Sequence, residues 1–183
     1  MFRKLFLRIY SLIVQPSKEW RTLAEEEQGL DRFLSTYFHP LLGIIALAAF
    51  AGALFARKGI EMALKSSILE FVIYFAGFYS VSFLLKEIMN RKYPAANIKR
   101  APSFVVYASS LIYLISIVIS LFGSSFQVAY LFLPYTLYIV WEGTTTYMEI
   151  EENKQIRFSV MCTVLLLLIP YFIHIIINKL MLS

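Results

Sequence analysis

Charge is in short supply in this chain: 16% of its 183 residues are Asp, Glu, Lys or Arg, where soluble domains carry ~25%. Cysteine is scarcer still. Cys162 stands alone, which excludes an internal disulfide and any cysteine-based metal cluster. The two histidines, His39 and His174, are too few for a metal cage. The sequence also lacks a Gly-rich phosphate loop, paired carboxylates at a defined spacing within an apolar run, and a Ser/His/Asp arrangement that chain order singles out. A non-enzymatic protein without a cofactor is therefore expected. What is abundant is apolar surface. The apolar share is 59%, and about 56% once Tyr is exchanged for Gly to match the usual set, against ~45–50% in soluble domains.

That apolar content is gathered into runs. Crossing a hydrocarbon core of ~30 Å takes about 20 residues of helix, and five runs approach or reach that length: 38–56, 66–85, 103–122, 124–141 and 158–178. An unpaired backbone group is costly in lipid, and the runs do not alternate as barrel strands do. The expected fold is all-α, a bundle of five transmembrane helices over residues 38–183 preceded by amphipathic cytoplasmic helices over 1–37. Pro40 and Pro102 stand at the starts of the first and third runs. Gly123-Ser124-Ser125 leaves so short a connection that the third and fourth spans should form a tight hairpin. Pro134 and Pro170 fall inside spans and should kink them.

Orientation follows from the basic residues, which are retained in the cytoplasm. One face collects Arg3, Lys4, Arg8, Lys18, Arg21 and Arg32, then Lys86, Arg91, Lys92, Lys99 and Arg100, then Lys154 and Arg157; the other holds Arg57, Lys58, Lys65 and Lys179. Thirteen against four places the amino terminus in the cytoplasm and the carboxyl terminus outside or in a lumen. The net charge of +5 is thus spent on topology and does not point to nucleic acid.

Phe2, Leu5, Phe6, Ile9, Leu12 and Ile13 recur at helical spacing, with Arg3, Lys4 and Arg8 largely off that stripe. Two readings are open: a helix lying flat on the bilayer, or one packed beneath the bundle. Cleavage as a signal peptide is disfavoured, because Arg8 interrupts the apolar stretch and no small-x-small site follows. Pro16 opens a second helix to about Gln28, with Trp20, Leu23 and Ala24 opposite Glu25, Glu26 and Glu27, a charge run read as a solvated face. The acids of 149–152 are read the same way.

Five short stretches carry a resemblance. Gln15-Pro16-Ser17-Lys18-Glu19-Trp20 and Tyr37-Phe38-His39-Pro40-Leu41 come first; Lys99-Arg100-Ala101 with Tyr107-Ala108-Ser109-Ser110 follows; Tyr138-Ile139-Val140-Trp141-Glu142-Gly143 closes the fourth run. Together they resemble the prokaryotic branch of the Yip family, whose eukaryotic namesakes are Ypt/Rab-GTPase-interacting membrane proteins. The resemblance implies five spans, a cytosolic amino terminus and a lumenal carboxyl terminus, and it brings no reaction with it.

Candidate functional residues are the polar ones in apolar runs. Glu70 lies four residues beyond Ser66 and His174 four before Asn178, so both sit about 6 Å inside the same membrane face. One reading pairs them in an outward-facing cavity; the other lets each satisfy itself locally. Gln127, Tyr130, Pro134, Tyr138 and Trp141 form a stripe with Glu142 at its cytoplasmic mouth, opposite Ser109, Tyr113, Ser116 and Ser120 on the third run. As interhelical glue such residues contribute on the order of 0.6 kcal/mol per hydrogen bond. As a seam they would serve the alternative function, a transporter or channel for a small solute, ion or lipid. Ala48, Gly52 and Ala56 present a small-residue face for close packing. The leading expectation is a membrane-organising or partner-binding module. Arg3, Lys4, Arg8, Arg91, Lys92, Lys99 and Arg100 would meet anionic headgroups, a protein partner or a second copy.

Overall fold

The structure is a computed structural model that describes residues 2–26 and 29–182. Glu27 and Gln28, expected to close the second helix, lie outside the described residues, as do the contacts of the Phe2 side chain. Every regular element among the described residues is helical: α1 (Phe2–Val14), α2 (Pro16–Glu25), α3 (Leu30–Phe55), α4 (Ile60–Lys92), α5 (Ile98–Phe122), a tighter 3₁₀ segment (Gly123–Phe132), α6 (Tyr135–Thr146) and α7 (Glu152–Leu182).

Four helices, α3, α4, α5 and α7, are long and apolar enough to cross a membrane. The expected run 124–141 is not one continuous helix. Pro134 has no N–H to donate and its ring crowds the preceding turn, so the chain runs as a 3₁₀ coil to Phe132, turns at Leu133-Pro134 and resumes as α6. The other expected limits are too short rather than misplaced. Both α4 and α7 extend beyond their apolar runs, carrying Arg91 and Lys92 at the end of α4 and Glu152 at the start of α7.

Within α3, Leu34–Phe38 forms a wide π turn just before Pro40. A proline there deprives the preceding carbonyl of its donor. The wider turn lets the His39 N–H reach the Leu34 carbonyl instead, and the helix continues unbroken. Pro170 inside α7 rests against Gly77 of α4, its ring 3.3 Å from where a Cβ would be.

Packing follows the small residues. Ala48, Ala49, Gly52 and Ala53 are buried where α3 packs on α4 and α5, while Ala56, the expected end of that face, is exposed. The most apolar stretch of α5 is 61% buried against 17% for that of α7, so α5 is the centre and α7 the rim. Helix α1 buries Leu5, Ile9 and Leu12 beneath the bundle, and turns Phe6, Tyr10 and Val14 outward. One face of α1 thus packs under the bundle, and the other is left outward.

Candidate functional site

Trp20 is fully buried and organises the amino-terminal end of the bundle. Pro16 starts α2 at a position where its missing N–H is not needed; Trp20 lies four residues on, where α2 packs across α6. Its indole N–H donates to the Ile139 carbonyl at 2.9 Å. Phe104 and Tyr147 stand 5.2 Å away between ring centroids, with Tyr107 edge-on at 6.2 Å. The approach requires glycine at 143, since a Cβ there would lie 2.5 Å from Trp20 Cε2. Ser17 Oγ donates to Glu142 Oε2 at 2.6 Å, and Tyr135 OH to the Ile13 carbonyl at 2.8 Å.

The stretch around Arg100 joins from a third direction. The guanidinium donates to the Ala24 carbonyl at 2.9 Å and the Tyr147 carbonyl at 3.2 Å, lies 3.4 Å from Glu149, and sits over the Tyr147 ring. Tyr147 OH shares a 2.7 Å hydrogen bond with Ser103 Oγ. The three segments that sequence separates, 15–24, 99–107 and 138–149, are thus one interlocked body. Sequence reasoning missed Phe104, Ser103 and Tyr147, because nothing in the spacing of aromatic residues shows which of them face one another across three elements.

Beside this body opens a cavity of about 560 Å³, lined by Arg8, Glu19, Glu26, Tyr37 and Tyr107, with Lys4, Arg32 and Thr36 also on its walls. Arg8 is held inside the protein rather than among headgroups. Its Nε donates to Glu19 at 3.1 Å, and its two terminal nitrogens donate to the carboxylate oxygens of Glu26 at 2.9 and 2.6 Å. Tyr107 lies under its guanidinium. Burial lifts the Glu19 carboxyl above its ordinary value, and Arg8 offsets only part of that. The folded chain therefore holds the Glu19 proton more tightly than the unfolded chain, so this residue's contribution weakens as pH rises through its range.

Replacing Arg8 by Gln strands two carboxylates beside a partly apolar wall, and should cost about 1–3 kcal/mol. Adding Glu26→Gln should restore part of it. Chemical unfolding of the detergent-solubilised protein measures both; equal losses in the single and double variants would contradict the pairing.

Other expected residues fall elsewhere. Arg3, Lys4, Lys92 and Lys99 are exposed, and Arg91 is exposed while pairing with Glu87 at 2.6 Å. Gln127 and Tyr138 are exposed, and Glu142 is taken by Ser17. Of the two stripes, Tyr130 shares a cavity wall with Ser116 and Ser120, whereas beyond the turn at Pro134 α6, which carries Tyr138 and Trp141, packs chiefly on α2, α7 and the first part of α5. Glu70 and His174 do line one cavity, of about 210 Å³, as independently oriented groups. Glu70 accepts from Ser116 Oγ at 3.1 Å and His174 meets Asn178 at 2.9 Å.

Residues 10–176 match the family model described as Yip1 domain. No curated protein and no solved structure matches the chain.

Proposed function

We propose a role whose premise is that this chain belongs to the Yip1 domain family: it is a membrane protein acting as a non-enzymatic, membrane-organising module through its amino-terminal end. The observation that carries this reading is the gathering of two basic segments, with an acidic turn beside them, at one end of the molecule. Arg100 bonds Ala24 and Tyr147, and the Asn97 N–H bonds the Met148 carbonyl, so the amino-terminal helices, the 86–100 connection and the 147–152 turn share one end. Lys4, Lys92 and Lys99 are exposed, with no ion pair among the described residues, and Lys4 shares α1 with the outward apolar face of Phe6, Tyr10 and Val14. Basic side chains next to apolar ones suit an anionic leaflet, at about 1 kcal/mol for each.

In this reading the basic end is cytoplasmic and the membrane is the bacterial inner one. The chain crosses five times, the fourth crossing being composite. Ten residues of 3₁₀ coil and twelve of α-helix hold about 38 Å of helical rise at ~2.0 and ~1.5 Å per residue, which leaves some length for the turn at Pro134 in crossing a ~30 Å core. A carboxy-terminal reporter active only outside the cytoplasm should therefore be active, and its silence would refute the odd number of crossings.

Lipid binding is tested in nanodiscs of mixed phosphatidylglycerol and phosphatidylcholine. Changing Arg3, Lys4, Lys92 and Lys99 together to Gln should lower enrichment of the anionic lipid around the protein by more than tenfold. Unchanged enrichment would overturn the assignment.

A further inference from the structure

Among the described residues Glu70 has one hydrogen-bond partner, the Ser116 hydroxyl. The described residues lining its cavity include no Lys or Arg; beside Glu70 and His174 the polar groups are hydroxyls, those of Ser116 and Ser120 and of Tyr74, Tyr130 and Tyr171. His174 could have supplied the counter-charge, but its ring is engaged by Asn178 one turn further along α7. The cavity is otherwise apolar, with Ile112, Leu166 and Leu167. Glu70 lies about 6 Å beyond Ser66, close to the level where headgroups begin, and a carboxylate at that depth is costly unless something pairs with it.

Three kinds of counter-ion are available. A bound metal ion needs more oxygen ligands than one carboxylate and one hydroxyl offer. A hydrated cation would have to wet the Ile and Leu walls. An amphiphile with an ammonium head satisfies both halves of the cavity at once, and 210 Å³ accommodates about seven groups the size of a water or methylene.

We propose that this cavity seats phosphatidylethanolamine from the adjoining leaflet. The primary ammonium donates to Glu70, the Ser120 and Tyr130 hydroxyls serve the phosphate, the ethanolamine methylenes lie against Ile112, Leu166 and Leu167, and the acyl chains leave the cavity for the surrounding lipid. This site is separate from the basic end of the molecule and does not depend on the role proposed there.

The test uses the full-length protein, delipidated in detergent and titrated with phosphatidylethanolamine or phosphatidylcholine of identical chains, with bound lipid counted by native mass spectrometry. Both lipids carry no net charge, so the basic surface does not distinguish them, and only the first has N–H donors. The wild type should retain one phosphatidylethanolamine with a preference on the order of tenfold, the worth of one charge-assisted hydrogen bond. Glu70→Gln, which keeps the shape and the Ser116 bond, should lower that preference to less than threefold. Leu167→Trp, which fills the apolar part without touching the carboxylate, should abolish retention of both lipids. An unchanged melting temperature for the two variants would tie these losses to the cavity. Equal retention of the two lipids by the wild type, no retention, or a preference that survives Glu70→Gln would each overturn the proposal.

Discussion

Replacing Trp20 by Ala should cost about 3–5 kcal/mol, the range for truncating a large buried aromatic side chain, and should lower the melting temperature of the detergent-solubilised protein by on the order of 10 °C. Three losses coincide at this residue. The indole has no exposed surface, touches Phe104, Tyr107 and Tyr147, and gives its one N–H to Ile139. Since α2 reaches α6 through this ring, the amino-terminal helices should also loosen from the bundle. Limited proteolysis between residues 14 and 30 should accelerate in the variant.

Gly143 gives this expectation a second, sharper form. Gly143→Ala alone places its Cβ 2.5 Å from the indole and forces the ring out of its seat. In the Trp20→Ala background the same methyl enters vacated space. The double variant should therefore be less destabilised than the sum of the two singles, by at least ~1 kcal/mol, a size ordinary for residues in direct contact. Strict additivity would mean that α2 and α6 do not meet as described.

How far the sequence could be read depended on whether a feature was local. Helix type, four of the five long apolar runs and the small-residue face at Ala48 and Gly52, though not at Ala56, follow from composition and spacing along a single element and appear in the structure. Pro134 marked the weakest point correctly, yet a kink was expected where the chain changes from 3₁₀ to α and turns aside. A proline removes a hydrogen bond wherever it stands, but whether neighbours hold the two halves in line is a matter of packing. The expected seam divides for that reason: Tyr130 on the 3₁₀ half meets Ser116 and Ser120, while α6 turns away and does not run beside the rest of that stripe.

The candidate site divides in the same way. Sequence placed Glu70 and His174 at one depth, because about 1.5 Å per residue is fixed by helix geometry, and both do line one cavity. Their separate partners, Ser116 and Asn178, depend on helix rotation, which depth does not determine. Arg8 shows the limit for charge. On the helical wheel it is a surface cation, but Glu19 and Glu26 come from the next helix and its end, and the fold of α1 against α2 brings them to it.

A close approach of two helices at Gly52 supplies the other large effect. A Cβ on Gly52 would overlap the carbonyl oxygen of Ser120 and come within 3.2 Å of Leu121 Cα, so α3 and α5 touch here backbone to backbone. A side chain that meets another side chain can change rotamer, whereas one that meets a backbone can be accommodated only by moving a helix. Gly52→Ala should therefore force the two helices apart and cost about 3 kcal/mol, the upper end for overpacking, and Gly52→Leu should leave little monodisperse protein on size exclusion. Gly43, earlier on the same helix, has nothing within 4 Å of the place a Cβ would take. There the ordinary helix preference for Ala over Gly acts alone, and Gly43→Ala should be neutral or stabilising by up to about 1 kcal/mol. Opposite signs from the same chemical change on one helix are what distinguish a packing contact from a propensity effect. If both variants melt alike, α3 and α5 stand further apart than this structure has them, and the cavity around Glu70, with Ser116 and Ser120 of α5 on its wall, would have a different shape.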